Sequence, residues 1–306
     1  MVQFRRLDPL ANAGPFQRLQ KTPVKSFTLT EVQFDRLKER RPDLIVNDGD
    51  DAVLGHLTRD YLFIHYGFSE TEFFRDRFAP MLGALLSAST RAEAPRGVVL
   101  SFRDRPNRNL ADVVLWSLAF EEGEQWVEMN LIAPPEMPEP ANTIDGGYTI
   151  REATAADRDA IADVEADATG NERLTGSGLD SLYEDARWLY LVSDASGTPV
   201  AYLNMTREPG GWGVITEARV RKDHVEALRK SLLAWAVAFL RNNGGRRIRH
   251  QVYMSDTTGL AMLREAGFTP GETGLEYTRP VDQAEIQSKI DARKEHGTLI
   301  KFGDWR

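Results

Sequence analysis

The chain contains no cysteine, which removes disulfides, zinc-thiolate sites, iron-sulfur clusters and thiol nucleophiles in one step. Long apolar runs are missing too: the longest uncharged apolar stretch, SLLAWAVAFL from Ser231 to Leu240, is too short to cross a bilayer. The opening MVQFRRLDPL carries charge where a secretory leader needs an apolar segment. The expectation is a cytoplasmic protein with no membrane partner. Positive charge is in deficit, with 38 Lys and Arg against 46 Asp and Glu and a formal net charge of -8. That balance speaks against nucleic acid as a partner, since phosphates call for positive potential, and it suits a cationic amine or simply a solvated acidic surface.

What is present points to two cores. A length of 306 residues exceeds the usual single domain. The clearest break is APPEMPEPANTIDGG, Ala133 to Gly147, where four prolines and a closing glycine pair interrupt any periodic pattern. Across that break the sequence repeats. Leu115, Phe120, Gly123, Glu124 and Glu128 recur at the same relative spacing as Leu263, Phe268, Gly271, Glu272 and Glu276, and QFRRL (Gln3 to Leu7) parallels TIREA (Thr149 to Ala153). The expected division is a first domain over 1–132, a linker over 133–147, a second domain over 148–280 and a helical and strand-like arm over 281–306.

The second half reads as strand YTIREAT, two helices over ATAADRDAIADVEAD and SGLDSLYEDA, and a meander of WLYLVSD, TPVAYLNMT and WGVITEARV separated by turn signals. Asp223 with Glu226 has capping-box spacing at the head of a long apolar-faced helix that stops before Gly244 and Gly245. Strand RIRHQVYM follows, then helix TTGLAMLREA capped by Asp256 and closed by Gly267, and a last hairpin GETGLEYTRP. The first half gives a shorter series: helix EVQFDRLKER, strands DLIVN, AVLGHLT and DYLFIHYGF, a helix opened by a Ser69/Glu72 capping box, strand GVVLSF, helix NLADVVLWSLA and strand QWVEMNL. His56 and His65 fall on neighbouring strands and can face one another, where paired surface histidines are commoner than a two-ligand metal site.

This order of strand, helices, three-strand meander, long helix, strand, helix and strand resembles the GNAT superfamily of N-acetyltransferases, in two copies covering roughly 1–132 and 146–280. AMLREAGF (Ala261 to Phe268) is similar to that family's helix ending in glycine and phenylalanine. The resemblance implies an α/β (α+β) fold of two tandem GNAT-like domains, each a mixed, mostly antiparallel sheet flanked by helices. It implies acetyl-CoA as cosubstrate, no metal, and a small-molecule amine as acceptor attacking directly. The layout is also similar to that of mycothiol synthases, without a motif of that enzyme.

In the family the diphosphate of the cofactor rests on backbone amides at the start of the long helix, where unsatisfied N–H groups and the helix dipole favour an anion. Here that implied site runs through Arg219, Val220, Arg221, His224, Val225, Glu226, Ala227, Leu228, Arg229 and Lys230, with Asp256 at the following helix start. No glycine occurs in it: Ala227 and Arg229 stand where the family usually has glycines, and Glu226 adds a negative charge. Arg221, Lys222, Arg229 and Lys230 offer compensating positive charge. Glu217 stands where many members carry the carboxylate base, and Tyr253 is the implied substitute for the leaving-group acid, whose usual place is taken by Leu263. The first domain, whose long helix opens FSETEFFRDRF, is expected to be structural. The alternative to catalysis is a degenerate tandem scaffold acting through protein or ligand contacts. The tail, with DQAEIQSKIDARKEH helical and TLIKFGDW strand-like, is expected to pair with a sheet edge of the other domain or of a second copy in a homodimer.

Overall fold

A computed structural model describes residues 14–295 apart from 27–28, 30, 93–94, 104–107, 175 and 209. QFRRL and TLIKFGDW lie outside the described residues. In chain order the first half forms α1 (Pro15–Lys21), β1 (Val24–Ser26), α2 (Glu31–Arg40), β2 (Ile45–Asp48), β3 (Asp51–Thr58), β4 (Tyr61–Phe68), α3 (Thr71–Ala92), β5 (Gly97–Arg103), α4 (Arg108–Ser117) and β6 (Glu121–Ile132). The second half forms β7 (Thr143–Ile144), β8 (Tyr148–Glu152), α5 (Arg158–Thr169), α6 (Gly176–Asp185), β9 (Trp188–Ser193), β10 (Pro199–Glu208), β11 (Trp212–Val220), α7 (Val225–Asn242), β12 (Arg247–Tyr253), α8 (Thr257–Glu265), β13 (Thr269–Arg279) and α9 (Gln283–Glu295). Expected strands and helices fall on these elements within a few residues, while α1, β1 and β7, the last within the expected linker, are additions. The closing hairpin is a correction, because GETGLEYTR of that segment lies within the single strand β13.

Contacts divide the chain into two units that do not follow one cut. Unit 1 holds 1–57, 61–123 and 275–306; unit 2 holds 58–60 and 124–274. The long strands β6 and β13 each pass from one unit to the other. In unit 1 the strand order is β2-β3-β4-β5, then the end of β13 and the start of β6. Its core joins Phe16 and Leu19 of α1, Phe74, Phe78, Leu82 and Leu85 of α3, Tyr66 and Phe68 of β4, and Leu275 and Tyr277 of β13. The rings of Tyr66, Phe74 and Phe78 pack with centroids 4.9 to 5.2 Å apart. His65 is 5% exposed, which corrects the surface placement of the histidine pair; burial and then the neighbouring His56 push its pKa down to about 3. The helical part of the tail, α9, lies in unit 1, with Ile286 buried, Lys289 2.8 Å from Glu121, and Arg293 donating to the carbonyls of Trp116 and Phe120.

Unit 2 is a mixed, mostly antiparallel sheet in the order β7-β8-β9-β10-β11-β12-β6, with the start of β13 beside β6. Only β11 and β12 pair in parallel among its registers. Alternation along the strands gives each face its own core. Leu191 and Tyr202 pack with Ile161, Val164 and Leu182 of α5 and α6, whereas their neighbours Val192, Ala201 and Leu203 pack with Leu228, Leu232 and Leu240 of α7 and Leu263 of α8.

The repeat has a structural cause. Phe120 N–H donates to Leu115 O at 3.0 Å, and Phe268 N–H donates to Leu263 O at 2.9 Å, closing α4 and α8 in the same way. Both closures need a left-handed residue, supplied by Gly267 with φ 89° and, at a steric cost, by Ala119 with φ 64°. In unit 1 a Cβ on Gly123 would lie 3.1 Å from Glu276 O; in unit 2 a Cβ on Gly271 would lie 3.3 Å from Glu128 O. The matched glycines thus let neighbouring backbone pass closely, and the matched glutamates are what passes.

Candidate active site

In unit 2 the parallel pairing of β11 with β12 runs from Trp212 opposite Arg247 to Ile215 opposite His250, and there it stops. Beyond it β12 stays with β6, ending at Tyr253 opposite Trp126, while β11 stays with β10, ending at Val220 opposite Ala201. The two strands therefore splay, and the backbone of 216–220 meets no described strand on its β12 side. The splay starts at a bulge: Met205 pairs with Ile215 and Asn204 with Glu217, leaving Thr216 as the extra residue.

That bulge turns Glu217 toward the α5 side of the sheet. Its carboxylate is 7% exposed and enters a charged cluster. Tyr202 Oη lies 2.8 Å from Glu217 Oε2 and 2.7 Å from Glu165 Oε2. Arg59 Nη1 is 2.7 Å from Glu217 Oε1 and 3.4 Å from Glu165 Oε1, and Arg219 Nε is 3.1 Å from Glu165 Oε2. Burial raises the Glu217 carboxyl, but the guanidiniums of Arg59 and Arg219 and the Tyr202 hydroxyl outweigh it and hold the group below the usual carboxylate range. Burial and the two carboxylates push the Tyr202 phenol well up. A phenol has one hydrogen to give, so it serves one carboxylate at a time. A proton on either carboxylate would find the phenol oxygen ready to accept it.

Tyr253 ends β12 opposite Trp126 and adds a small electrostatic influence on Arg59. On the opposite face His250 sits at the root of the splay, its Nδ1 2.8 Å from Ile215 O. A carbonyl only accepts, so Nδ1 carries the hydrogen and Nε2 keeps its lone pair. Burial, with Arg229 and Arg219 nearby, pushes its pKa down to about 4.

The head of α7 differs from the expected capping box. The chain enters through a single 3-10 turn, Lys222–His224; Asp223 and Glu226 are exposed, and no side chain caps the helix. The Lys222 N–H donates instead to Asp167 at 2.8 Å. The Ser69/Glu72 box of α3 is likewise absent, because the Ser69 hydroxyl and N–H both donate to Asp51 at 2.8 Å. His224 Nδ1 contacts Tyr148 Oη at 3.1 Å. Ala227 and Lys230 are exposed, Val225 is half-buried, and Leu228 and Val220 belong to the core. Arg229 does not face an anion site: it forms a two-pronged pair with Asp256, which also caps α8 by accepting from Gly259 N–H at 2.9 Å. Arg221 keeps a buried Nε with no hydrogen-bond partner.

Sequence reasoning missed Arg59, Glu165, Tyr202 and His250. Arg59 and Asp60 form the turn between β3 and β4 with φ of 48° and 67°. The available signal was a two-residue turn made of neither Asn nor Gly, an unusual choice for left-handed backbone.

No family model matches this sequence, and no curated protein matches it. Solved structures do. A GCN5-related N-acetyltransferase from Sphaerobacter thermophilus is 17% identical, with 76% of each chain covered and a TM-score of 0.53. A tandem GNAT protein from the clavulanic acid biosynthesis pathway is 11% identical, matched over 87% of this chain and 93% of its own at a TM-score of 0.55. A GCN5-related N-acetyltransferase from Kribbella flavida is 15% identical over 82% of this chain and 97% of its own, at 0.50. The chain has the tandem GNAT fold. Among its described residues no helix is long and apolar enough to cross a membrane.

Proposed function

We propose that unit 2 is an acyl-CoA-dependent N-acyltransferase that moves an acetyl group from acetyl-CoA to a small-molecule amine. The observation that carries this reading is the splay after Ile215 and His250, with a buried carboxylate on one face and a helix start on the other. The residues present suit the cosubstrate. The strand edge of 216–220 can pair with an amide-bearing arm, the orphaned Arg221 Nε can donate to a phosphate, and neither Glu226 nor Arg229 plugs the head of α7. When bound, acetyl-CoA supplies an acyl carbon activated as a thioester.

The chain's own part is proton handling and positioning. Glu217 accepts and keeps the proton that the ammonium must lose, and the Tyr202 oxygen can then accept a hydrogen bond from that carboxyl while its own hydrogen turns to Glu165. Tyr253, which ends β12, is the candidate to serve the departing thiolate. A second reading, a scaffold that holds coenzyme A weakly or not at all, is favoured by one observation: Asp167 already takes the Lys222 N–H.

Calorimetric titration with acetyl-CoA separates the two readings, since absence of heat at millimolar ligand sinks the enzyme. With binding in hand, coenzyme A release is measured against a panel of amines. Glu217→Gln is expected to lower the rate at neutral pH by about 100-fold or more while leaving cofactor affinity unchanged. Equal loss of rate and affinity would assign Glu217 a structural role.

A further inference from the structure

The α5 side of the splay holds more acceptor capacity than its present contacts use. Glu165 and Glu217 are 5% and 7% exposed, and Asn204 is 4% exposed. Asn204 lies opposite Glu217 in the ladder, two residues along β10 from Tyr202 and so on the same face. Its Oδ1 is buried with no hydrogen-bond partner. A buried amide oxygen without a donor is costly, and native structures retain one where something else is to fill it. The donor at hand is Arg59, whose Nη1 reaches both carboxylates. Its backbone is held independently of that side chain: Arg59 N–H donates to Ser181 Oγ at 2.9 Å, and Asp60 packs on Gly178, where a Cβ would meet the Asp60 backbone N at 3.1 Å.

The charges balance in a telling way. Two carboxylates face two guanidiniums, and Arg219 is committed to Glu165. With Arg59 withdrawn, the cluster would be left one positive charge short.

We propose that Glu165, Glu217 and the Asn204 amide oxygen form a subsite for an organic monocation bearing N–H donors, an ammonium or guanidinium group of the acceptor, and that Arg59 sits there as the chain's own stand-in. This assignment rests on the acyltransferase reading for the identity of its occupant as acceptor, but not for the existence of the subsite. It gives Arg59 a positioning role, because its presence keeps Glu217 ionised and closed off. Once an acceptor displaces it, Glu217 loses the largest of the influences that hold it low, and the acceptor's own transferable proton takes the place of a guanidinium that cannot give one up.

The test uses the full chain without coenzyme A. Arg59→Ala and the longer, neutral Arg59→Gln are compared with the unsubstituted protein by thermal unfolding in methylguanidinium chloride, and in tetramethylammonium chloride, which has no N–H to donate, at equal ionic strength. Methylguanidinium at about ten times its dissociation constant should raise the midpoint of either variant by roughly 2–4 °C. The unsubstituted protein should gain less, tetramethylammonium should give nothing, and adding Glu217→Gln should abolish the gain. Equal shifts in variant and unsubstituted protein, or equal responses to both cations, would overturn the subsite. A guanidinium response together with no acetyl-CoA heat would leave the subsite standing and remove the acyltransferase reading, so the two failures are distinguishable.

Discussion

Both units part a parallel strand pair at an equivalent place, and they treat the gap differently. In unit 1, β4 and β5 pair from Tyr61 opposite Gly97 to Phe63 opposite Val99 and then separate. There β1 runs antiparallel along the freed end of β4, with Val24 opposite Phe68 and Ser26 opposite Tyr66, and the Ser26 hydroxyl donates to the Ser101 carbonyl on β5. The chain has filled that splay with three of its own residues. In unit 2 no described strand lies between the separated ends of β11 and β12. The helix starts differ in degree: Asp51, 2% exposed and held by Arg77 at 3.1 Å, takes the N–H of Ser69 before α3, whereas half-buried Asp167 takes one N–H before α7. A duplicated fold has thus filled one gap with its own backbone and left the other without a described strand, which is the physical ground on which the proposed chemistry is assigned to unit 2.

The comparison breaks first at Gly67. A Cβ there would lie 2.7 Å from Thr22 Oγ1 and 3.0 Å from Leu19 Cδ2, so the chain entering β1 depends on the missing side chain. Gly67→Val is expected to cost about 1–3 kcal/mol by overpacking and to raise amide exchange at Val24–Ser26 sharply, with acetyl-CoA heat unaffected. Unchanged protection of those amides would mean that β1 is not held by this approach. In unit 2 the corresponding probe is Gly259, where a methyl would overlap the Asp256 carboxylate and the Arg229 guanidinium. Gly259→Ala should lose the pair and part of the α8 cap, lowering stability by about 1–2 kcal/mol in denaturant titration. A neutral result would show that Arg229 has room to turn aside.

The remaining effect is on acid stability and is absent at neutral pH. An ordinary histidine protonates near 6.5, whereas buried His250 does so at about 4 and His65 at about 3. Between those values the unfolded chain binds more protons than the folded one, so stability falls as pH drops below about 6.5 and is lost progressively toward each folded pKa. His250→Gln should flatten that slope between about pH 6.5 and 4, leaving the His65 share. An unaltered slope would mean that His250 is solvated.

Much of this fold was legible because its strands alternate and its helices carry wide apolar faces, as in HVEALRKSLLAWAVAFLRNN. The repeat was legible through Gly123 and Gly271 because close backbone approach tolerates no side chain. β1 was not, since VKS is three residues long and its burial comes from a gap made by strands far along the chain. The Asp223/Glu226 spacing misled because capping is decided by how the chain enters the helix, and here Asp167, distant in sequence, supplies the acceptor. Glu217 could be picked out by its strand position, yet its partners could not: Arg59, Glu165 and Tyr202 meet it only through tertiary packing.

The passage of β13 between units bears on how the protein is made. Unit 2 has all its residues once position 274 has been synthesised, but unit 1 still lacks Leu275, Tyr277 and Ile286, all buried within it. Emerging from the ribosome, the earlier half must wait with an unfinished hydrophobic interior while the later half closes, so the first unit begun is the last completed.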